Sequence, residues 1–390
     1  MIINFTQSNA RPFFTFRSNI RRADICCAGE NLLSCSRIHI SPKLVTSQQN
    51  INILGTDLYF TNRVEPHGYA YKNRWLDEAV LTYNKKTDTM FGSFHIQGRD
   101  YEIEKCLNGH VLKQHKKAIM RDDVVNPDYE IPSNPALRFW GARDQTTIVT
   151  FTIKFYYTEA FARYTPDVES WIDNSIAVVN QAMINSLVPV RVKKFATEMA
   201  LIPEYTRDTK GDNLQELTRL NNDVTNSADF ATILSINKVS GNALGAAYIG
   251  GRFSSNNKNV NTILHEFGHC FGGDHSFNNK NNDPKKGYAF GYQFNVIGST
   301  YDTYGTALSY SRMLYYYSNP RIKHPTLGIP LGHENANDMA RKITEDRFSL
   351  NRGDESRACY TCNAYSGQRL HTTSRCASGE IDHNFQEAVK

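Results

Sequence analysis

The chain has 390 residues, of which 40% are apolar and 21% charged, a composition that excludes disordered and collagen-like classes. Its net charge of +5 comes from scattered lysines and arginines, and without a dense basic patch nucleic acid is not an expected partner. No run approaches the roughly 18 apolar residues of a membrane span, and the opening residues, MIINFTQSNARPFFTFRSNIRR, lack the apolar core and small-residue cleavage site of a signal peptide.

The length suggests two globular units and a tail. A stretch from Asn126 to Asp144 carries Pro127, Pro132 and Pro135 without any sustained period, and proline restricts both itself and the residue before it. It reads as a linker between an N-terminal region, 1–125, and a second unit, 145–350. Beyond the linker, TTIVTFTIKFYY from Thr146 to Tyr157 alternates in the manner of a strand. From Asp167 to Leu187 the apolar residues Trp171, Ile172, Ile176, Val179, Ala182, Met183 and Leu187 recur at helical spacing. Further strands are predicted at Val190–Leu201, Ala228–Ile236 and Ala243–Ile249, with a polar helix near Asn213–Asn221. Strands alternating with helices predict an α/β (α+β) fold with a mixed twisted sheet. After His275 the pattern thins, and the tail 351–390 contains cysteines but little periodicity.

The segment ILHEFGHCFGGDH, Ile263 to His275, carries the chemistry. His265 and His269 are four residues apart, which on a helix places both imidazoles on one face. Gly272 and Gly273 end the helix; positive φ costs glycine little, so the chain can turn and bring His275 toward the same ion. Three neutral imidazoles suit zinc and leave a fourth position for water. Glu266, beside the first ligand, is placed to act as general base rather than as a ligand.

These residues resemble the metzincin signature His-Glu-x-x-His-x-x-Gly-x-x-His at every specified position, and other features resemble its reprolysin/adamalysin-like branch. That resemblance implies a zincin-type catalytic domain over about 146–345 with an active-site helix. It implies that the stretch Asn242–Arg252, with Gly245, Ala246 and Ala247, is an edge strand to which extended peptide adds. It also implies that Ser318, Asn319 and Pro320 help to wall the specificity pocket. Where metzincins place a methionine in the turn beneath the metal, this chain has Leu308, of comparable volume. Tyr310 stands where astacin-type enzymes place a tyrosine that serves as fifth ligand or oxyanion donor. Ser276 follows the third histidine where many reprolysins have aspartate.

Residues 87–112 contain Thr89-Met90-Phe91-Gly92-Ser93 and Tyr101-Glu102-Ile103-Glu104, which resemble the β-rich prodomain of reprolysin-like proteases. The eight cysteines are Cys26, Cys27, Cys35, Cys106, Cys270, Cys359, Cys362 and Cys376. Cys106 is the first candidate for a thiolate that blocks the zinc, although no switch motif surrounds it and ordinary burial or disulfide bonding is the simpler expectation. Cys270 points about 100° away from His269 and is expected to pack. Cys359, Cys362, His371 and Cys376 have the order of a zinc knuckle with too long a middle spacing, so a second zinc in the tail is the lesser expectation.

The sequence therefore predicts a monomeric zinc metalloendopeptidase made as a zymogen and acting on polypeptides. The resemblance favours secretion, although no signal peptide is visible. The alternative is a catalytically silent metal-binding protein of the same fold, for which Leu308 and Ser276 are the motivation and which the presence of Glu266 opposes.

Overall fold

The structure is a computed structural model that describes residues 10–19, 32–73, 77–106, 108–115, 124–125, 147–201, 217, 228–236, 244–276, 287–295, 303–324 and 327–350. The linker 126–144, most of the predicted polar helix near 213–221 and the tail 351–390, with its Cys359, Cys362, His371 and Cys376, lie outside the described residues.

The N-terminal half is built from β1 (Arg11–Pro12), β2 (Phe14–Asn19), β3 (Leu32–Ile40), β4 (Ile51–Ile53), β5 (Thr56–Val64), β6 (Gly68–Lys72), β7 (Glu78–Asn84), β8 (Thr89–Ile96), β9 (Arg99–Cys106) and β10 (Gly109–His115). They form one sheet in the order β1-β4-β5-β6-β7-β8-β9-β10-β3-β2. Two hairpins turn on Leu54-Gly55 and Gln97-Gly98, where both central residues have positive φ; such turns match the twist of the flanking strands. The sheet's two edge strands are consecutive in the chain, joined by Phe13 alone. Phe13 donates its N–H to Asn52 O at 2.9 Å and accepts from Ser41 N at 3.0 Å, so one residue ties both edges and the sheet curls nearly closed. Its ring is fully buried in a cluster with Ile40, Val45, Ile51, Leu58 and Tyr71.

The C-terminal half holds a six-stranded sheet of β11 (Val124–Val125), β12 (Val149–Tyr157), β13 (Val190–Met199), β14 (Phe230–Ser235), β15 (Gly245–Tyr248) and β16 (Phe253–Asn257), in the order β11-β15-β16-β14-β12-β13. All neighbours are parallel except β15 and β16. Helices Glu159–Tyr164 and Val168–Asn185 connect β12 to β13. The longer one begins where the Asp167 carboxylate accepts from Ser170 N at 3.0 Å, satisfying a donor the helix leaves free. Smaller elements follow: β17 (Gln293–Asn295), β18 (Thr303–Gly305) and β19 (Arg312–Met313) in one sheet, β20 (Asn319–Lys323) with β21 (Pro330–Leu331), and a last helix, Met339–Leu350.

Helix Val168–Asn185 buries Trp171, Ile172, Ile176, Val179, Ala182 and Met183 of the apolar face read from the sequence, while Leu187 lies past its end and is exposed; it also buries Asn174, Ser175, Ala177, Val178 and Gln181. The second burial has a cause: the helix is covered by the curled sheet. Strand β8 shows both sides of that contact. Met90, Phe94 and Ile96 join the interior of the curled sheet, while Phe91 joins the core of the C-terminal half and Ser93 Oγ accepts from Asn174 Nδ2 at 2.8 Å. Trp171 Nε1 donates to Glu102 at 2.9 Å, and Asn180 Nδ2 to Glu65 O at 2.8 Å. Polar groups inside this contact are thus paired, as burial requires.

These observations correct the predicted fold class. An α/β (α+β) zincin-type architecture was expected; among the described residues the chain has twenty-one strands against five helices, and its largest element is the nearly closed ten-stranded sheet. The chain is β-rich. The expectation rested on the helix-and-strand alternation after residue 146, whereas ten of the described strands belong to the curled sheet before it, two of whose tight turns carry Leu-Gly and Gln-Gly in place of the usual Asn-Gly or Asp-Gly signal.

Because Phe13 closes the sheet, Phe13→Ala should lower unfolding stability by about 3–5 kcal/mol, read as a shift in the urea midpoint with little change in slope.

Candidate metal centre

The centre is carried by the helix Val260–Cys270. Asn259 caps it, its side chain accepting from Asn261 N at 2.9 Å. One face of the helix is apolar and packs on the six-stranded sheet: the Phe267 ring lies 4.8 Å from Phe230, and Phe271, just past the helix, 5.2 Å from Phe151. The helix ends in a paired cap. Gly273 N donates to Gly268 O at 3.1 Å and Gly272 N to His269 O at 2.7 Å, and Gly272 has φ +87°, the left-handed conformation such an ending needs. The chain then turns back. Asp274 N bonds Ala289 O, Ser276 N bonds Leu308 O, and the Asp274 carboxylate accepts from His275 N at 2.8 Å, which pins the residue on either side of the third histidine.

The result is a triangle of nitrogens. His265 Nε2 lies 3.1 Å from His269 Nε2 and 3.2 Å from His275 Nε2, and the remaining side is 3.0 Å. All three residues are buried. His265 Nδ1 lies 2.6 Å from Ala307 O and His269 Nδ1 2.9 Å from Gly273 O. A carbonyl only accepts, so in both rings Nδ1 carries the proton and Nε2 presents a lone pair. Lone pairs meeting at this distance in a buried site repel unless a cation lies among them. A tetrahedral zinc spaces its nitrogen ligands about 3.3 Å apart, so the donor set fits zinc; the outer hydrogen bonds are those that orient ligating histidines.

The floor beneath the helix is Leu308, which is buried. A Cβ at Gly268 would meet Leu308 Cδ2 at 2.8 Å and one at Gly273 would meet Cδ1 at 2.3 Å, so the two glycines let the leucine sit directly under the metal turn. Glu266 is also fully buried. Its carboxylate lies against Gly245: a Cβ there would come 2.5 Å from Glu266 Oε1. Gly245 thus makes room for the proposed base, in addition to belonging to β15 with the buried Ala246 and Ala247. Tyr310 places its hydroxyl 2.8 Å from His275 Nδ1, across the ring from the converging nitrogens, with ring centroids 4.1 Å apart.

Ser318 and Asn319 are buried. Ser318 Oγ donates to Phe290 O at 2.6 Å and accepts from Met339 N at 2.9 Å. Asn319 Nδ2 donates to Ser186 O at 2.8 Å, and Pro320 is half-buried. Their neighbour Tyr317 donates from its hydroxyl to Leu264 O at 3.0 Å, latching this segment to the histidine helix. Cys270 is a free, buried thiol directed at Phe253 O at 3.7 Å, and burial pushes its pKa up. Cys35 and Cys106 are disulfide-bonded, which removes Cys106 as a zinc-blocking thiolate.

Two features were not anticipated from the sequence. Ala307 and Gly273 act through backbone carbonyls, which residue type does not reveal. The edge of β15 is not open: Val124 and Val125 pair with Ala247 and Tyr248 in parallel.

No family model and no curated protein matches the chain. Among solved structures it is similar to one described as a chaperone–substrate complex, at 15% identity and a TM-score of 0.43, over 66% of this chain and 38% of that one, so it spans well under half of that neighbour. It is also similar to metalloproteinase-II from Bacteroides fragilis, at 12% identity and a TM-score of 0.37, over 57% of this chain and 78% of that one. Among the described residues the chain itself holds a three-histidine group that could hold a metal ion.

Two substitutions test the local design. Gly272→Ala forces a side chain into positive φ and should cost about 1–2 kcal/mol. Leu308→Ala leaves a cavity under the helix and should cost about 2–5 kcal/mol. Denaturant unfolding with and without zinc should show both losses, larger in its presence because the turn that carries His275 is also loosened.

Proposed function

We propose that this chain is a zinc-dependent endopeptidase, with His265, His269 and His275 as ligands and Glu266 as general base, made in a latent form. The observation that carries the proposal is the triangle of converging Nε2 atoms, two of them held as lone pairs by carbonyls, beside a buried glutamate. The complete His-Glu-x-x-His-x-x-Gly-x-x-His motif supports it.

Zinc bound there would lower the pKa of a water to about 7 and polarise the scissile carbonyl. The chain's own residues supply the rest. Ala307 O and Gly273 O keep the protons of His265 and His269 on Nδ1, so Nε2 remains the donor. The Glu266 carboxylate takes a proton from the attacking water and returns it to the leaving amine. Burial of Glu266 and its contact with Gly245 hold that carboxylate in one position, which is what a base needs to act without reorganising.

Extended peptide would add to β15, where alternate residues point to and from the site. Val124–Val125 occupies that edge, so activation requires this segment to leave. Latency in this proposal comes from a strand on the substrate edge, and not from a cysteine. Disulfide-bonded Cys35 and Cys106 favour an oxidising compartment, in keeping with secretion.

The test uses protein cut within 126–144, an unstructured polypeptide substrate, and Glu266→Ala. Cleavage should fall about 10²–10⁴-fold in the variant while zinc content stays the same, and a chelator should abolish activity that zinc restores. Retained zinc without cleavage in the wild type would establish the silent metal-binding alternative.

A further inference from the structure

The curled sheet reaches the metal centre through a short chain of hydrogen bonds that begins at a buried carboxylate. Glu78, at the start of β7, is 4% exposed, and its Oε1 accepts from Tyr315 N at 2.7 Å. The next residue, Tyr316, accepts through its carbonyl from Ala307 N at 2.7 Å. Ala307 O then takes the Nδ1 proton of His265 at 2.6 Å. Three short bonds and two stretches of one or two residues thus connect a strand of the N-terminal sheet to the first proposed metal ligand.

The segment Tyr315–Tyr317 is held from both sides. From the sheet, Lys72 Nζ donates to Tyr316 OH at 3.0 Å and stands 4.7 Å over its ring, and it lies 3.9 Å from Glu78 Oε2. From the long helix, Asn185 Nδ2 donates to Tyr315 O at 2.8 Å and Ser186 Oγ accepts from Tyr317 N at 2.7 Å. Lys72 Nζ also donates to Asn185 Oδ1 at 2.6 Å, so the two clamps are themselves joined. A peptide N–H buried in such a contact needs an acceptor, and here a side chain provides it.

We propose that Glu78 is a positioning residue for His265, acting through Tyr315, Tyr316 and Ala307, so that the curled sheet is part of the support of the metal centre. This rests on the metal reading above and extends it to a residue far from the motif in sequence. The orientation of a ligating imidazole is set by the acceptor on its other nitrogen. Ala307 O is that acceptor, and its place depends on Tyr316 O, whose segment depends on Glu78 and Lys72. A carboxylate with no link to the centre would act on folding alone and leave metal affinity unchanged.

Full-length chain is titrated with zinc against a competing chelator, comparing wild type, Glu78→Gln, Glu78→Leu and Lys72→Met, with melting temperatures recorded without metal. Glu78→Gln retains an oxygen acceptor for Tyr315 N and should bind zinc within about threefold of wild type. Glu78→Leu removes the acceptor and should weaken zinc about 10- to 100-fold, the range seen when outer-shell partners of a ligand are lost; Lys72→Met should weaken it in the same direction. Wild-type affinity in a folded Glu78→Leu chain overturns the inference while leaving the metal reading intact. Should Glu78→Leu not fold, unchanged affinity in Lys72→Met overturns it equally. A wild-type chain that binds no zinc removes both.

Discussion

Two backbone carbonyls decide the character of this protein. Ala307 O and Gly273 O take the Nδ1 protons of His265 and His269, so the opposite nitrogens present lone pairs toward one another, with His275 Nε2 within 3.2 Å of both. That arrangement is unfavourable in a buried, apolar setting without a cation. Much of the surrounding structure follows from keeping it in place. The cap at Gly272 returns the chain, Leu308 supports it from below, and Asp274 and Ser276 bind the returning strand on either side of the third histidine.

The motif was the legible part. Helical spacing put His265 and His269 on one face, and two glycines in succession announced a positive φ that falls at Gly272. The apolar stripe of helix Val168–Asn185 was readable as well. Its polar face was not: Asn174, Asn180 and Gln181 look like a solvated surface in a one-dimensional pattern, yet they are buried against a second sheet that only the tertiary structure supplies. Residues 87–112 suggested a β-rich N-terminal region, but the extent and closure of its sheet were not readable, because two of its hairpins turn on Leu-Gly and Gln-Gly and because β8 is buried on both faces and so shows no alternation. Ser318 and Asn319 also bind the last helix and the end of the long helix, contacts that residue type alone does not reveal.

The chain before residue 126 then has two separable relations to the centre. Val124–Val125 covers the edge of β15, the edge to which peptide would add in the proposed function. Glu78 and Lys72 hold the segment that holds Ala307, which favours the metal. A cut in 126–144 that released only the first would leave the curled sheet still bound by Trp171, Asn174 and Asn180. Detaching the sheet would expose the whole second face of the long helix, an outcome opposed by the shared core that contains Val64, Ala70, Val80 and Phe91.

The most direct test of the three-histidine centre is zinc K-edge X-ray absorption on the full-length chain loaded with one equivalent of metal. The geometry predicts three imidazole nitrogens at about 2.0–2.1 Å with an oxygen completing the shell and no sulfur. Sulfur scatterers near about 2.3 Å, or a spectrum unchanged in a chain carrying His265→Ala and His269→Ala, would place the metal elsewhere and contradict it.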